Sequence, residues 1–355
     1  MARFSPGRRA VLTGIMAASL PRVSWAEVGS PAFLAAAKQG DSYELHGLSA
    51  TGDSLFALPL PGRGHAAAAH PTQALAVAFA RRPGTFALVI DALTGAVRHR
   101  LTPPEGRQFN GHGVFTADGA LMMTSEVVAV GSAGRIGLWE TAGFTRIGEF
   151  DSGGIGPHDM ALMPGGGLIV ANGGIQTDPS DRTKLNVDSM RPNLTLLASD
   201  GQIADQVSLP DEFAQNSIRH LARLGDSIAF AMQWEGDAAL AVPLLGLWQP
   251  GSAPCLCPTD DVDAFAMHGY AGSIAAANGL LGLTSAPGGA VQVFDQGGAL
   301  LATHRRPDLS GLAAGPAGLV ATDGGGTVWA VDAAGLTPLA RHAVAWDNHL
   351  IALHA

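Results

Sequence analysis

A chain of 355 residues, 47% apolar, with 47 glycines and only 14% charged residues, has the material for a large core. Its net charge of −9 argues against a nucleic-acid binder, which would show a basic stripe. Beyond residue 30 no apolar run approaches the roughly 18 residues that span a bilayer, and Gly-rich turns between short apolar runs point to an all-β chain.

In chain order, residues 1–26 read as an address. Paired Arg8 and Arg9 precede an apolar run from Ala10 to Leu20, and Ser24 and Ala26 supply small residues for cleavage before Glu27. The arginine pair resembles a twin-arginine export signal, with Val11 and Leu12 following well but no basic residue after them; a plain secretory signal is the alternative. Cleavage would remove four arginines and no acid, taking the net charge from −9 to −13 and predicting a periplasmic protein.

Residues 27–355 then form one domain. Between apolar runs a hairpin signal recurs, often an acid or amide closely followed by Gly. It stands at "VIDALTGAV" (89–97), "LWETAGF" (138–144), "LLASDGQI" (196–203), "LWQPGSA" (247–253), "VFDQGGAL" (293–300) and "AVDAAGL" (330–336), with a looser copy at 47–58. Each unit also has a strand of small residues, beginning at 65, 112, 158, 220, 273, 310 and 349. Four-stranded units repeating every 40 to 50 residues or so predict a β-propeller. The final unit has only its inner strand, and "AFLAAAK", "SYELHGL" and "SLFALPLP" near the N-terminus supply three more. The prediction is a seven-bladed propeller closed by pairing the N-terminal strands with the C-terminal one. It lacks the W-D signature of WD repeats.

In such a ring the residues opening each inner strand surround one mouth of the central channel. They are His65, His112, His158, His220 and His349, with Ser273 and Ser310 in the two remaining units. Five of the chain's 12 histidines thus occupy one repeated position. Converging imidazoles suit a transition metal such as iron, copper or zinc, with Asp159 or Asn348 orienting the rings. The alternative is a structural role, in which each histidine bonds to the backbone of the neighbouring blade and seals the ring. The ends of the second strands face the same mouth and supply Arg81, Arg82, Glu126, Asn172, Gln233, Glu235, Ser285 and Asp323. Of these, Glu126 follows "LMMTS" directly and is expected to reach the ring. The third unit carries a long insertion, 172–194, on the same face; it reads as a lid or partner-binding loop, with Met190 and Arg191 as residues that dip into the funnel.

Cys255 and Cys257, one residue apart, would need a strained ring to pair, and a lone C-x-C is a weak metal signal. No nucleophile elbow, phosphate loop, zinc-protease or haem-attachment motif is present.

"IGEFDSGGIGPHDMALMPGGGLIVANGGIQT", "KLNVDSMRPNL", "SIRHLA", "QWEGD" and "WDNHL" together resemble an uncharacterised family of exported bacterial propellers. His158, Arg219, His220 and His349 fall inside these phrases; Asp159 stands where the family pattern suggests Glu, which leaves an acceptor in place. The family's members are often encoded near imelysin-like iron-uptake proteins and haem-containing oxidoreductases, so the resemblance implies a periplasmic role connected with iron and partners among iron-uptake or redox proteins. The leading expectation is a periplasmic propeller that binds iron or another transition metal at the histidine mouth. Its ligands are His65, His112, His158, His220 and His349, with Glu126, Asp159, Asn172, Arg219, Gln233 and Glu235 completing the site. The rivals are a non-catalytic partner-binding module and a metal-dependent hydrolase using Glu126 as base.

Overall fold

Strands that converge on an axis have little room for side chains, so they must be built from small residues. Runs such as "GHAAAA" and "SIAAA" meet that condition. The computed structural model describes residues 31–82 and 84–353; the expected export signal lies outside the described residues. They form seven four-stranded antiparallel sheets arranged as the blades of a propeller. The inner strands of blades one to six are Gly64–Ala69, Arg107–Phe115, Pro157–Leu162, Asn216–Leu224, Ser273–Ala277 and Leu309–Gly315.

Blade seven is composite. Its inner strand, Ala345–Ala352, pairs antiparallel with Phe33–Gln39, and Ser42–Leu48 and Ser54–Leu60 complete the sheet. Phe33 lies opposite Ala352 and Leu34 opposite Ile351. The closure is the one the sequence predicts. It ties the two ends of the ring with backbone hydrogen bonds.

The core is distributed between blades. Leu34 and Leu45 of blade seven pack with Ala76, Leu88 and Ile90 of blade one. Phe79 and Val89 of blade one pack with Phe109, Met122 and Trp139 of blade two. Outer strands alternate in exposure, as Ser54–Leu60 and Ile203–Ser208 do, because only one face of each meets a neighbour. The acid-Gly hairpins have a direct cause. The carboxylate of Asp91 accepts from the backbone of Leu93 and Thr94, that of Asp295 from Gly297 and Ala299, and that of Asp332 from Ala334 and Gly335.

Cys255–Cys257 is the short outer strand of blade four, and both thiols are free. A helix that the sequence reading does not anticipate, Asp261–Ala266, follows it, capped by Asp260 accepting from the Asp263 N–H. Among the described residues no helix is long and apolar enough to cross a membrane.

Candidate metal centre at the channel mouth

A regular inner strand would send successive side chains alternately into the two inter-blade cores. The histidines escape this because the ladder breaks beside each of them. The pairing of inner and second strands shifts register between Gly64 and Ala67, Phe109 and Gly113, Pro157 and Met160, and Ile218 and His220. In blade seven the shift lies between Ala35 and Ala37, opposite the stretch that holds His349. Bulges of this kind bend a strand and re-aim its side chains, here toward the axis. Gly111, at φ +93°, makes one of them possible: a Cβ there would stand 2.3 Å from Cδ2 of His65.

The five rings meet. Centroids lie 4.5 Å apart for His65–His349 and His112–His158, 4.6 Å for His158–His220 and 4.8 Å for His220–His349. Two triads, His65–His112–His349 and His112–His158–His220, bring their ring nitrogens within 4.8 Å of one another. Nitrogens bound about 2 Å from one metal stand roughly 3–4 Å apart, so small ring rotations would close either triad on an ion. His65, His112, His158 and His349 each carry a buried ring nitrogen with no hydrogen-bond partner. Burial, and then the neighbouring imidazoles, hold His65, His158, His220 and His349 well below the ordinary histidine range. Neutral rings leave a lone pair free for a metal.

The two serines at the equivalent position behave differently. Ser273 donates to the carbonyl of Leu312 in the next blade, and Ser310 to that of Asp347. They seal the ring in the way proposed as the structural alternative for the histidines. Four of the histidines instead carry a buried ring nitrogen with no hydrogen-bond partner.

Asp159 is placed as an orienting residue. Its Oδ1 lies 3.3 Å from Nδ1 of His112, and its Oδ2 accepts from the Leu221 N–H at 3.0 Å. With Nδ1 turned to a carboxylate, Nε2 is the nitrogen His112 offers to the centre, and that atom is the unpartnered one. Because both triads pass through His112, its single free lone pair restricts the cluster to one metal at a time.

Above the rings lies a cavity of about 220 Å³. His65, His158, His220 and His349 form its floor, and Arg219, Gln233, Glu235 and Asn348 stand in its wall as the sequence reading expects. Arg81 and Arg82 line it too. Four expected residues are elsewhere. Glu126 is fully buried within blade two, accepting from Thr124 and from Arg146 at 2.9 Å, and burial raises its pKa against the pull of Arg146. Asn172 is consumed by Ser152, Asn193 and Thr195. Ser285 and Asp323 are likewise engaged, with Met267 and with Arg306 and Trp329. These strand ends lie at the right height, but side-chain alternation turns them into their own blades.

The 172–194 insertion does cover the mouth, with different residues from those expected. Met190 is fully buried and Arg191 exposed, and neither lines the cavity. Thr177, Arg182 and Lys184 line it instead; Arg82 donates to Thr177, and Lys184 pairs with Glu235. Tyr270, whose hydroxyl accepts from Asn348, and Asn110 are further lining residues that the sequence reading missed. Asn110 lies two residues before His112 and was within reach of the repeat argument; Tyr270 lies in the irregular link after the helix and carried no periodic signal.

Among proteins of known structure the chain is similar to BamB from Moraxella catarrhalis, at 10% identity, covering 87% of this chain and 81% of that one with a TM-score of 0.53. It is also similar to the β-propeller domain of Cps50 (Swd1) from Myceliophteria thermophila, at 14% identity, covering 74% and 80% with a TM-score of 0.51. At such identities the likeness extends to the fold alone. No curated protein sequence matches the chain. Residues 58–353 match a family described as "Protein of unknown function (DUF1513)".

Proposed function

The chain belongs to the DUF1513 family, and on that premise we propose that it is a metal-handling propeller holding one transition-metal ion at the five-histidine mouth. The observation that carries this reading is the set of four buried, unpartnered ring nitrogens on neighbouring histidines. Leaving such atoms unpaired costs about 1–3 kcal/mol each, and a cation bound by a triad removes that cost for the nitrogens it ligates. The donor set is all imidazole, which suits iron, copper, nickel and zinc and disfavours magnesium and calcium. Iron is the first candidate, on the resemblance to propellers encoded beside iron-uptake proteins. The same resemblance, with Arg8 and Arg9, supports export to the periplasm by the twin-arginine route and partners among iron-uptake or redox proteins.

The chain's own residues divide the work as follows. Asp159 holds the His112 ring with Nε2 inward. His158 and His220, or His65 and His349, complete a triad around it. The cavity above leaves the ion accessible from one side, between the rings and the 172–194 loop. Elemental analysis tests the assignment. Protein recovered from the periplasmic fraction should carry about one equivalent of transition metal per chain, and His112→Ala with His158→Ala, which takes the shared ligand from both triads, should remove it while the circular dichroism spectrum stays that of a β protein. Metal at full stoichiometry in the folded double variant would overturn the reading.

A further inference from the structure

The mouth is strongly basic in an acidic protein. Arg82, Arg182 and Arg219 come from three separate places: the end of a second strand, the long loop, and the bulge beside His220. None has a carboxylate within ion-pair distance among the described residues. Of the acids beside the mouth, Glu235 is engaged by Lys184 and Asp347 by Arg63 and Arg81. Glu235 still favours the charge on Arg219 from farther away. Nε of Arg219 is buried and has no hydrogen-bond partner. Elsewhere in the molecule the arginines near buried carboxylates are paired, Arg146 with Glu126 and Arg306 with Asp323.

Gathering three guanidiniums with no carboxylate at ion-pair distance is unfavourable. Burial, and then the proximity of Arg182 and Arg219, pushes the Arg82 pKa down to about 10, which still leaves it charged at neutral pH. A protein with a net charge of −9 has no general excess of cations to explain the arrangement. Guanidinium forks match the planar or tetrahedral oxygens of carboxylates and phosphates. The cavity, at about 220 Å³, has the volume of roughly seven waters, enough for an anion of that size. Gln233, Tyr270 and Asn348 add neutral hydrogen-bonding groups to its wall.

We propose that the channel mouth binds a small oxyanion, a carboxylate or phosphate, clamped between Arg82, Arg182 and Arg219 directly above the histidine cluster. The site stands on the arginines and does not require the metal. Calorimetric titration of the full mature chain, both as purified and after chelator treatment, with inorganic phosphate, malonate and citrate tests it. At least one of these should bind with a dissociation constant below about 1 mM, and the preferred one identifies the ligand class. Arg82→Gln and Arg219→Gln should each weaken binding at least about tenfold. Should the half-buried Arg219 variant fail to fold, Arg182→Gln in the exposed loop should weaken it severalfold without touching the core. Absence of binding by all three anions, or affinity unchanged in Arg82→Gln and Arg182→Gln, would overturn the proposal. Anion binding that persists in metal-free protein would keep it even if elemental analysis rejected the metal.

Discussion

Asp159 shows how much one side chain can decide here. Its carboxylate faces Nδ1 of His112, so Nδ1 carries the proton and Nε2 keeps its lone pair. Asp159→Asn keeps the size and one acceptor oxygen for the Leu221 N–H. Turned toward His112, its amide group would donate, which forces the proton onto Nε2 and takes that nitrogen out of ligation. We expect metal affinity to fall about 10–100-fold, measured by competition with a chromogenic chelator, while the thermal midpoint moves little. Affinity equal to that of the parent would remove Asp159 from the orienting role. The histidines themselves were legible in the sequence because they ride on a repeat: once the units are aligned, His65, His112, His158, His220 and His349 fall in one column. Glu126 misled the same reasoning. Its backbone position follows from topology, but its direction follows from strand alternation and from Arg146, which lies 20 residues away in sequence.

The decisive elements are the bulged inner strands and the long loop. Each histidine strand breaks register where its ring must turn inward, and Gly111 leaves the space that His65 occupies. Gly111→Ala puts a Cβ into the His65 ring and an alanine at φ +93°, a conformation that costs about 1–3 kcal/mol. The expected result is a lower thermal midpoint together with weakened metal binding, because His65 must move; a drop in stability with intact metal affinity would mean that His65 is dispensable as a ligand. Of the 172–194 loop, the sequence discloses its length and, through blade topology, the face it covers. Which of its residues look down was not legible. Loops have no periodicity, and Arg182 and Lys184 are aimed by a local turn closed by the Thr177–Lys184 bridge and by the partner Glu235.

As a whole molecule the propeller depends on joining its ends. The strand Phe33–Gln39 pairs with Ala345–Ala352, so the ring cannot close before the last inner strand exists. That order of events suits a protein that folds fully before crossing a membrane, as the proposed export route requires. Leu34, 1% exposed, lies in the core that blades seven and one share. Leu34→Ala should cost about 2–5 kcal/mol by the usual large-to-small penalty, read from urea denaturation. Metal content per folded chain should stay unchanged, since the closure core and the mouth are separate. A cost below about 1 kcal/mol would show that closure contributes little to stability.

Blade number, the composite closing blade and the histidine column all follow from the amino-acid order, because each is periodic or rests on local hairpin chemistry that neighbouring residues enforce. The distances between the rings, the single nitrogen that His112 presents and the three guanidiniums without carboxylate partners emerge only on folding. They depend on register shifts, inter-blade packing and a loop laid across the mouth, and these contacts join residues dozens to hundreds of positions apart.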